Sequence, residues 1–122
     1  MLSVGLDLIE IERVKKAMGN PRFITRVFGP HELLELDKKG RPAQSAAAAF
    51  AAKEAFGKAL TTGIAGFALR EVELLHRQNG APYLALSGRA LAIAEKRGLT
   101  FSVSVTHTKE YASAVVVATD GK

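Results

Sequence analysis

Gln44-Ser45-Ala46-Ala47-Ala48-Ala49-Phe50-Ala51-Ala52-Lys53-Glu54-Ala55-Phe56-Gly57-Lys58-Ala59-Leu60 has no proline, keeps its one glycine near the end and is built mostly from strong helix formers. The stretch predicts a helix over residues 44–60, and the other elements can be ordered around it. Helical spacing sets Glu54 and Lys58 four residues apart on one face. Spacing alone does not separate a reactive pair from an ordinary Glu-to-Lys surface pair worth about 0.2–0.5 kcal/mol.

Toward the N-terminus, residues 2–9 read as a strand with Asp7 near its end, running into a helix over about 10–18 that Gly19, Asn20 and Pro21 close. Phe23, Val27 and Phe28 anchor a second short turn. Pro30 at the first helical position, with Glu32 and Glu35 behind it, opens a helix to about residue 39, which Gly40, Arg41 and Pro42 break. Beyond the long helix, Thr61, Thr62, Gly63 and Gly66 make a loop. Residues 69–76 and 82–86 then flank Asn79-Gly80, a strong hairpin signal. Residues 88–97 form a short amphipathic helix stopped by Gly98, and 101–105 with 112–118 form a last strand pair, whose alternation of Phe101, Val103 and Val105 against Ser102 and Ser104 marks one buried face. The expected class is α+β, a mostly antiparallel sheet with packed helices, as one domain over residues 1–122.

Composition narrows the function. The 122 residues carry 17 Lys and Arg against 12 Asp and Glu, a formal charge of +5, which favours an anionic partner. The basic residues are spread along the chain and aromatic residues are few, which argues against nucleic acid. With no cysteine there is no disulfide framework, thiolate metal site or cysteine nucleophile. No apolar run approaches the roughly 20 residues of a membrane span and no leader signature opens the chain, so a soluble cytoplasmic protein is expected, with no membrane partner.

Asp7, at a strand end, can join Glu54 as a hard oxygen ligand. Mg²⁺ takes one or two carboxylates and completes its octahedron with water and substrate phosphate oxygens, while Lys58 suits phosphate charge. In this company Gly5-Leu6-Asp7 with Glu10, Glu12 and Arg13, and residues 50–58 read as W/F-x-x-K-E-A-x-x-K, resemble the holo-[acyl-carrier-protein] synthase family in order and separation. Thr62-Gly63-Ile64, Asn79-Gly80-Ala81-Pro82-Tyr83 and residues 106–112 extend the resemblance over nearly the whole chain.

The resemblance implies that Asp7 and Glu54 bind Mg²⁺ at the pyrophosphate of coenzyme A, with Lys58 on the phosphates. The phosphopantetheine arm then passes to a serine of an acyl carrier protein, in support of fatty acid biosynthesis. Glu54 itself, or a metal-bound water held by Asp7, takes the serine proton. Gly63, His107, Thr108 and Arg41 are implied as coenzyme A contacts. Arg13, Arg22 and Arg26 are implied to dock the acidic carrier, although a solvated basic face explains them equally. The same resemblance implies a homotrimer with active sites shared between neighbouring subunits.

His107 has a second reading, since it shares parity with Phe101, Val103 and Val105 and can be a half-buried strand residue. His31 and His76 read as surface residues. Two departures stand out: Ala48-Ala49 replaces the family's common Gly-Arg pair, and the basic cluster before the long helix thins to Lys38, Lys39 and Arg41. Two other classes fit the composition. A basic binding module would be indifferent to metal, and a Mg²⁺-dependent phosphohydrolase would use water where the transferase uses serine.

Overall fold

In a computed structural model, which describes residues 1–61 and 66–120, the alanine-rich segment forms helix α4 (Ala43–Ala59), and the other elements pack around it. Ala46, Ala47, Ala51, Ala52, Ala55 and Ala59 are fully buried. Their small side chains let neighbouring backbones come close on several sides at once. Strand β1 (Leu2–Glu10) comes so close that a Cβ built on Gly5 would lie 1.9 Å from the Ala55 carbonyl oxygen and 2.6 Å from the Ala59 nitrogen. Only glycine fits there, so Gly5→Ala must push strand and helix apart. We expect a loss of about 1–3 kcal/mol, as for overpacked cores, read from the urea unfolding midpoint; an unchanged midpoint would contradict this packing.

Helices α1 (Ile11–Ala17), α2 (Pro21–Val27) and α3 (Pro30–Lys38) link β1 to α4. The α2 helix replaces the short turn expected from sequence. The residues that stop α1 also start α2: the Asn20 side chain accepts from the Arg22 N–H at 2.9 Å and Pro21 sits at the first helical position. After α4 come strands β2 (Val72–His76) and β3 (Pro82–Leu86), helix α5 (Gly88–Arg97), and strands β4 (Thr100–His107) and β5 (Tyr111–Thr119). The expected strand start at Leu69 is instead a 3₁₀ turn, Leu69–Glu71. There the Glu71 carboxylate accepts from Ala68 N–H at 3.0 Å and Ala90 N–H at 3.3 Å, holding the turn and the start of α5 together. Burial opposes the Glu71 charge, yet the backbone donors at Ala68, Arg89 and Ala90 outweigh it and hold this carboxyl below its usual range.

The strand pairings are antiparallel, as expected, and fall in two sheets: β1-β5-β4, and the β2-β3 hairpin. In the first sheet Asp7 pairs with Ala114, which pairs with Val105, while Ile9 pairs with Ala112, which pairs with His107. Phe56 of α4 meets Phe101 with ring centroids 4.7 Å apart, joining helix to sheet in one core.

Candidate active site

Odd-numbered residues of β1 face α4, and this register directs Asp7 at the second half of that helix. The Asp7 side chain is 15% exposed, and its backbone carbonyl accepts from the Ser113 hydroxyl at 2.8 Å. Lys58 reaches across from α4, donating to the Leu6 carbonyl at 3.0 Å and to Asp7 Oδ1 at 3.2 Å. Glu54, one helical turn earlier and half-buried, shares the cluster's field: burial and then the Asp7 charge push its carboxyl up, and Lys58 opposes the shift. Asp7, Glu54 and Lys58 therefore meet between β1 and α4.

The cluster suits a hard divalent cation. An ammonium already rests on an Asp7 oxygen, so the place accepts positive charge, and two carboxylates are the donor set typical for Mg²⁺, whose remaining positions go to water and phosphate oxygens. Among the described residues no group of three or more His, Cys, Asp or Glu side chains is placed to hold a metal, and the Asp7–Glu54 pair is a half-site of two carboxylates.

Of the other implied coenzyme A contacts, His107, Thr108 and Arg41 lie apart from this cluster. His107, at the end of β4, is exposed and lines a cavity with Lys39, Gln44, Ala48, Leu74 and His76, at the beginning of α4. From Gln44 to Glu54 is ten helical residues, about 15 Å along the axis. Within one chain His107 thus lies near the first turns of α4 and Asp7 near its last. The Thr108 hydroxyl serves the β4–β5 turn, accepting from Tyr111 N–H at 3.0 Å and Glu110 N–H at 3.3 Å. Arg41 adopts a positive φ of 53° after α3 and pairs with Asp37 through Nε. It does not line the His107 cavity, where Lys39 stands instead. Gly63 lies outside the described residues.

Arg13, Arg22 and Arg26 are exposed on α1 and α2. Arg13 borders a hollow lined by Ile9, Val14, Ala17, Phe23 and Phe50, in which Phe23 and Phe50 stack with centroids 5.9 Å apart. One basic residue, Arg13, thus borders this largely apolar depression.

Sequence reasoning missed Lys53. It is fully buried, donating to Glu32 Oε1 at 2.6 Å and to the Val72 carbonyl at 2.5 Å. Glu32 also accepts from the Gly29 and Leu74 N–H groups, and the Glu73 carboxylate accepts from Glu32 N–H at 2.8 Å. Glycine at the cap of α3 has no side-chain oxygen, so Glu73, from a different element, supplies the acceptor. His76, expected at the surface, is half-buried and pairs through Nδ1 with Glu35 at 3.0 Å, whereas His31 keeps 70% of its side chain exposed beside Glu73. Nothing in the local sequence marks these pairings, which span about 20 to 40 residues.

The chain is similar to known proteins along nearly its whole length. Residues 3–116 match the 4'-phosphopantetheinyl transferase superfamily. The chain is 40% identical over 121 residues to a holo-[acyl-carrier-protein] synthase of Caldanaerobacter subterraneus subsp. tengcongensis, covering 98% of this chain and 95% of that protein. Its fold is similar to the crystal structure of holo-[acyl-carrier-protein] synthase from Neisseria meningitidis, with TM-score 0.88, 31% identity, and coverage of 96% and 97%. It is likewise similar to the Helicobacter pylori holo-[acyl-carrier-protein] synthase in complex with coenzyme A, with TM-score 0.82, 28% identity, and coverage of 95% and 99%.

Proposed function

The chain belongs to the holo-[acyl-carrier-protein] synthases of the 4'-phosphopantetheinyl transferase superfamily, and on that premise we propose that it moves the phosphopantetheine arm of coenzyme A onto a serine of an acidic apo-acyl carrier protein. The observation that carries the reading is the meeting of Asp7, Glu54 and Lys58 between β1 and α4. Asp7 and Glu54 would hold Mg²⁺, which when bound would offset the negative charge of the pyrophosphate.

The chain's own groups divide the remaining work. Glu54, its carboxyl pushed up by burial and by Asp7, accepts the serine proton directly or through one water. The serine oxygen bonds to the β-phosphorus, the bond from that phosphorus to the bridging oxygen breaks, and adenosine 3',5'-bisphosphate leaves with the electron pair. Lys58, leaving Asp7, follows the phosphate charge. Catalysis of this kind rests on positioning and charge stabilisation, so no covalent intermediate on the enzyme is needed. Arg13 at the Phe23–Phe50 hollow, with the exposed Arg22 and Arg26 of α2, offers a carrier both charge complementarity and an apolar seat. Carriers of fatty acid biosynthesis, and a cytoplasmic location for a chain with no cysteine, complete the proposal.

Titrating coenzyme A into the protein by calorimetry, with and without Mg²⁺, tests the substrate half of the reading. Binding that tightens with Mg²⁺ is expected. Indifference to both, with salt-sensitive binding of a carrier alone, would favour a basic binding module.

We extend the proposal to a homotrimer with shared sites. On the face of β1 away from α4, Leu2, Val4, Leu6 and Leu8 are 70%, 56%, 61% and 65% exposed, and the row continues onto Val117 and Val115 of β5. An apolar row of this length on an edge strand favours contact with another chain. A second copy seated there also accounts for the distance between Asp7 and His107, since His107 would act on a neighbour's substrate. Leu6→Glu with Leu8→Glu should reduce the mass by light scattering to that of a 13.0 kDa protomer and cut transfer at least about tenfold. A wild-type monomer with full activity would refute the shared site.

A further inference from the structure

Lys58 cannot serve both of its stations at once. Its ammonium is held by two acceptors, the Leu6 carbonyl at 3.0 Å and Asp7 Oδ1 at 3.2 Å, and the second of these is an oxygen that the function proposed above gives to the metal. A divalent cation binds a carboxylate oxygen at about 2.1 Å. An ammonium left on that oxygen would then stand within a few ångströms of two further positive charges, in a half-site whose formal charge from Asp7, Glu54 and Lys58 together is only −1. The Asp7 side chain is 15% exposed, while that of Lys58 is 52% exposed on a flexible four-carbon stem, so the lysine is the partner free to move. What can draw it away is another set of anionic oxygens within reach of the same helical turn.

We propose that Lys58 is an internal counterion that occupies Asp7 until a pyrophosphate-bearing substrate draws it off, so that metal and substrate each favour the other's binding through this one side chain. Before substrate arrives, Lys58 neutralises Asp7 and keeps the half-site poor at taking up a divalent cation. When the pyrophosphate binds, the ammonium transfers to its oxygens and Asp7 is released to the metal. Linkage makes the effect reciprocal: whatever factor substrate adds to metal affinity, metal adds to substrate affinity. Lys58 is thus a phosphate contact in the loaded site and a positioning residue in the empty one, and the order of loading is built into one salt bridge. The inference rests on Asp7 and Glu54 being the metal carboxylates.

Mn²⁺ binding tests it without turnover, by electron paramagnetic resonance of the free ion, for wild type, Lys58→Met and Lys58→Gln, each with and without coenzyme A, and with a coenzyme A control lacking protein. Without coenzyme A, both variants are expected to bind Mn²⁺ about tenfold more tightly than wild type, since a unit positive charge has been removed from beside the ligand oxygen. Saturating coenzyme A should tighten Mn²⁺ binding about tenfold or more in wild type and clearly less in the variants. Equal Mn²⁺ affinity in wild type and both variants without coenzyme A, with binding still abolished by Asp7→Asn, would overturn the role of Lys58 and leave the metal site standing. If no protein binds Mn²⁺ even with coenzyme A, the carboxylate site is wrong and the counterion role falls with it.

Discussion

Glu54→Gln is expected to lower the single-turnover rate of phosphopantetheine transfer by about 10²- to 10⁴-fold, the range for loss of a positioned proton acceptor, while the melting temperature stays near wild type. Glu54 is half-buried on α4, and its carboxyl is pushed up by burial and by Asp7. Glutamine keeps the shape but loses the charge and the capacity to take a proton. The sign of the shift fixes the pH behaviour of the native protein. In the metal-free protein the group accepts a proton more readily than an ordinary carboxylate, so protonation competes with the metal, and activity should be present at higher pH and lost as the pH falls through the Glu54 titration. A Glu54→Gln protein within threefold of wild type, or one with the same acid limb, would remove Glu54 from the reaction.

Lys53→Met should be the most damaging substitution for stability, by about 3–5 kcal/mol, because it leaves the Glu32 carboxylate buried without its countercharge. Glu32 and Lys53 are 1% and 0% exposed, and burial drives Glu32 up and Lys53 down while each charge opposes the other's shift. The pair also joins three elements, since Glu32 belongs to α3, Lys53 to α4, and both bond to the backbone of β2. Adding Glu32→Gln to Lys53→Met removes the orphaned charge and should recover about 1 kcal/mol or more of the loss by urea unfolding. A double variant less stable than the Lys53→Met protein would show that charge isolation is not the cause.

Much of the fold was legible because its signals are local. Helix α4 follows from propensity, the β2-β3 hairpin from Asn79-Gly80, the end of α5 from Gly98, and the β4-β5 pair from alternation. Glu54 and Lys58 were legible as a pair because one helical turn brings them together, whereas Asp7, 51 residues from Lys58, joined them through the family resemblance. What escaped was long-range. The Glu73 carboxylate accepting from Glu32 N–H and the Glu71 carboxylate at the start of α5 are caps supplied by distant elements. Lys53 reads like any helical lysine until α3 and β2 close over it. The alanines of α4 signal helix in sequence, yet only the fold shows β1 lying so close to the helix that a Cβ on Gly5 would collide with the Ala55 carbonyl oxygen. The strand carrying His107 runs two residues past the expected 105 and leaves that side chain exposed where alternation suggested half-burial, and its place relative to Asp7 depends on how helix and sheet cross.

The most direct measurement is the intact mass of an apo-acyl carrier protein after incubation with this protein, coenzyme A and Mg²⁺, beside a chelated sample and a Glu54→Ala sample. The mass should rise by one phosphopantetheine on the carrier serine in the complete mixture alone. No gain with several carriers from a folded protein, or phosphopantetheine found free in solution while the carrier's mass is unchanged, would contradict the transfer.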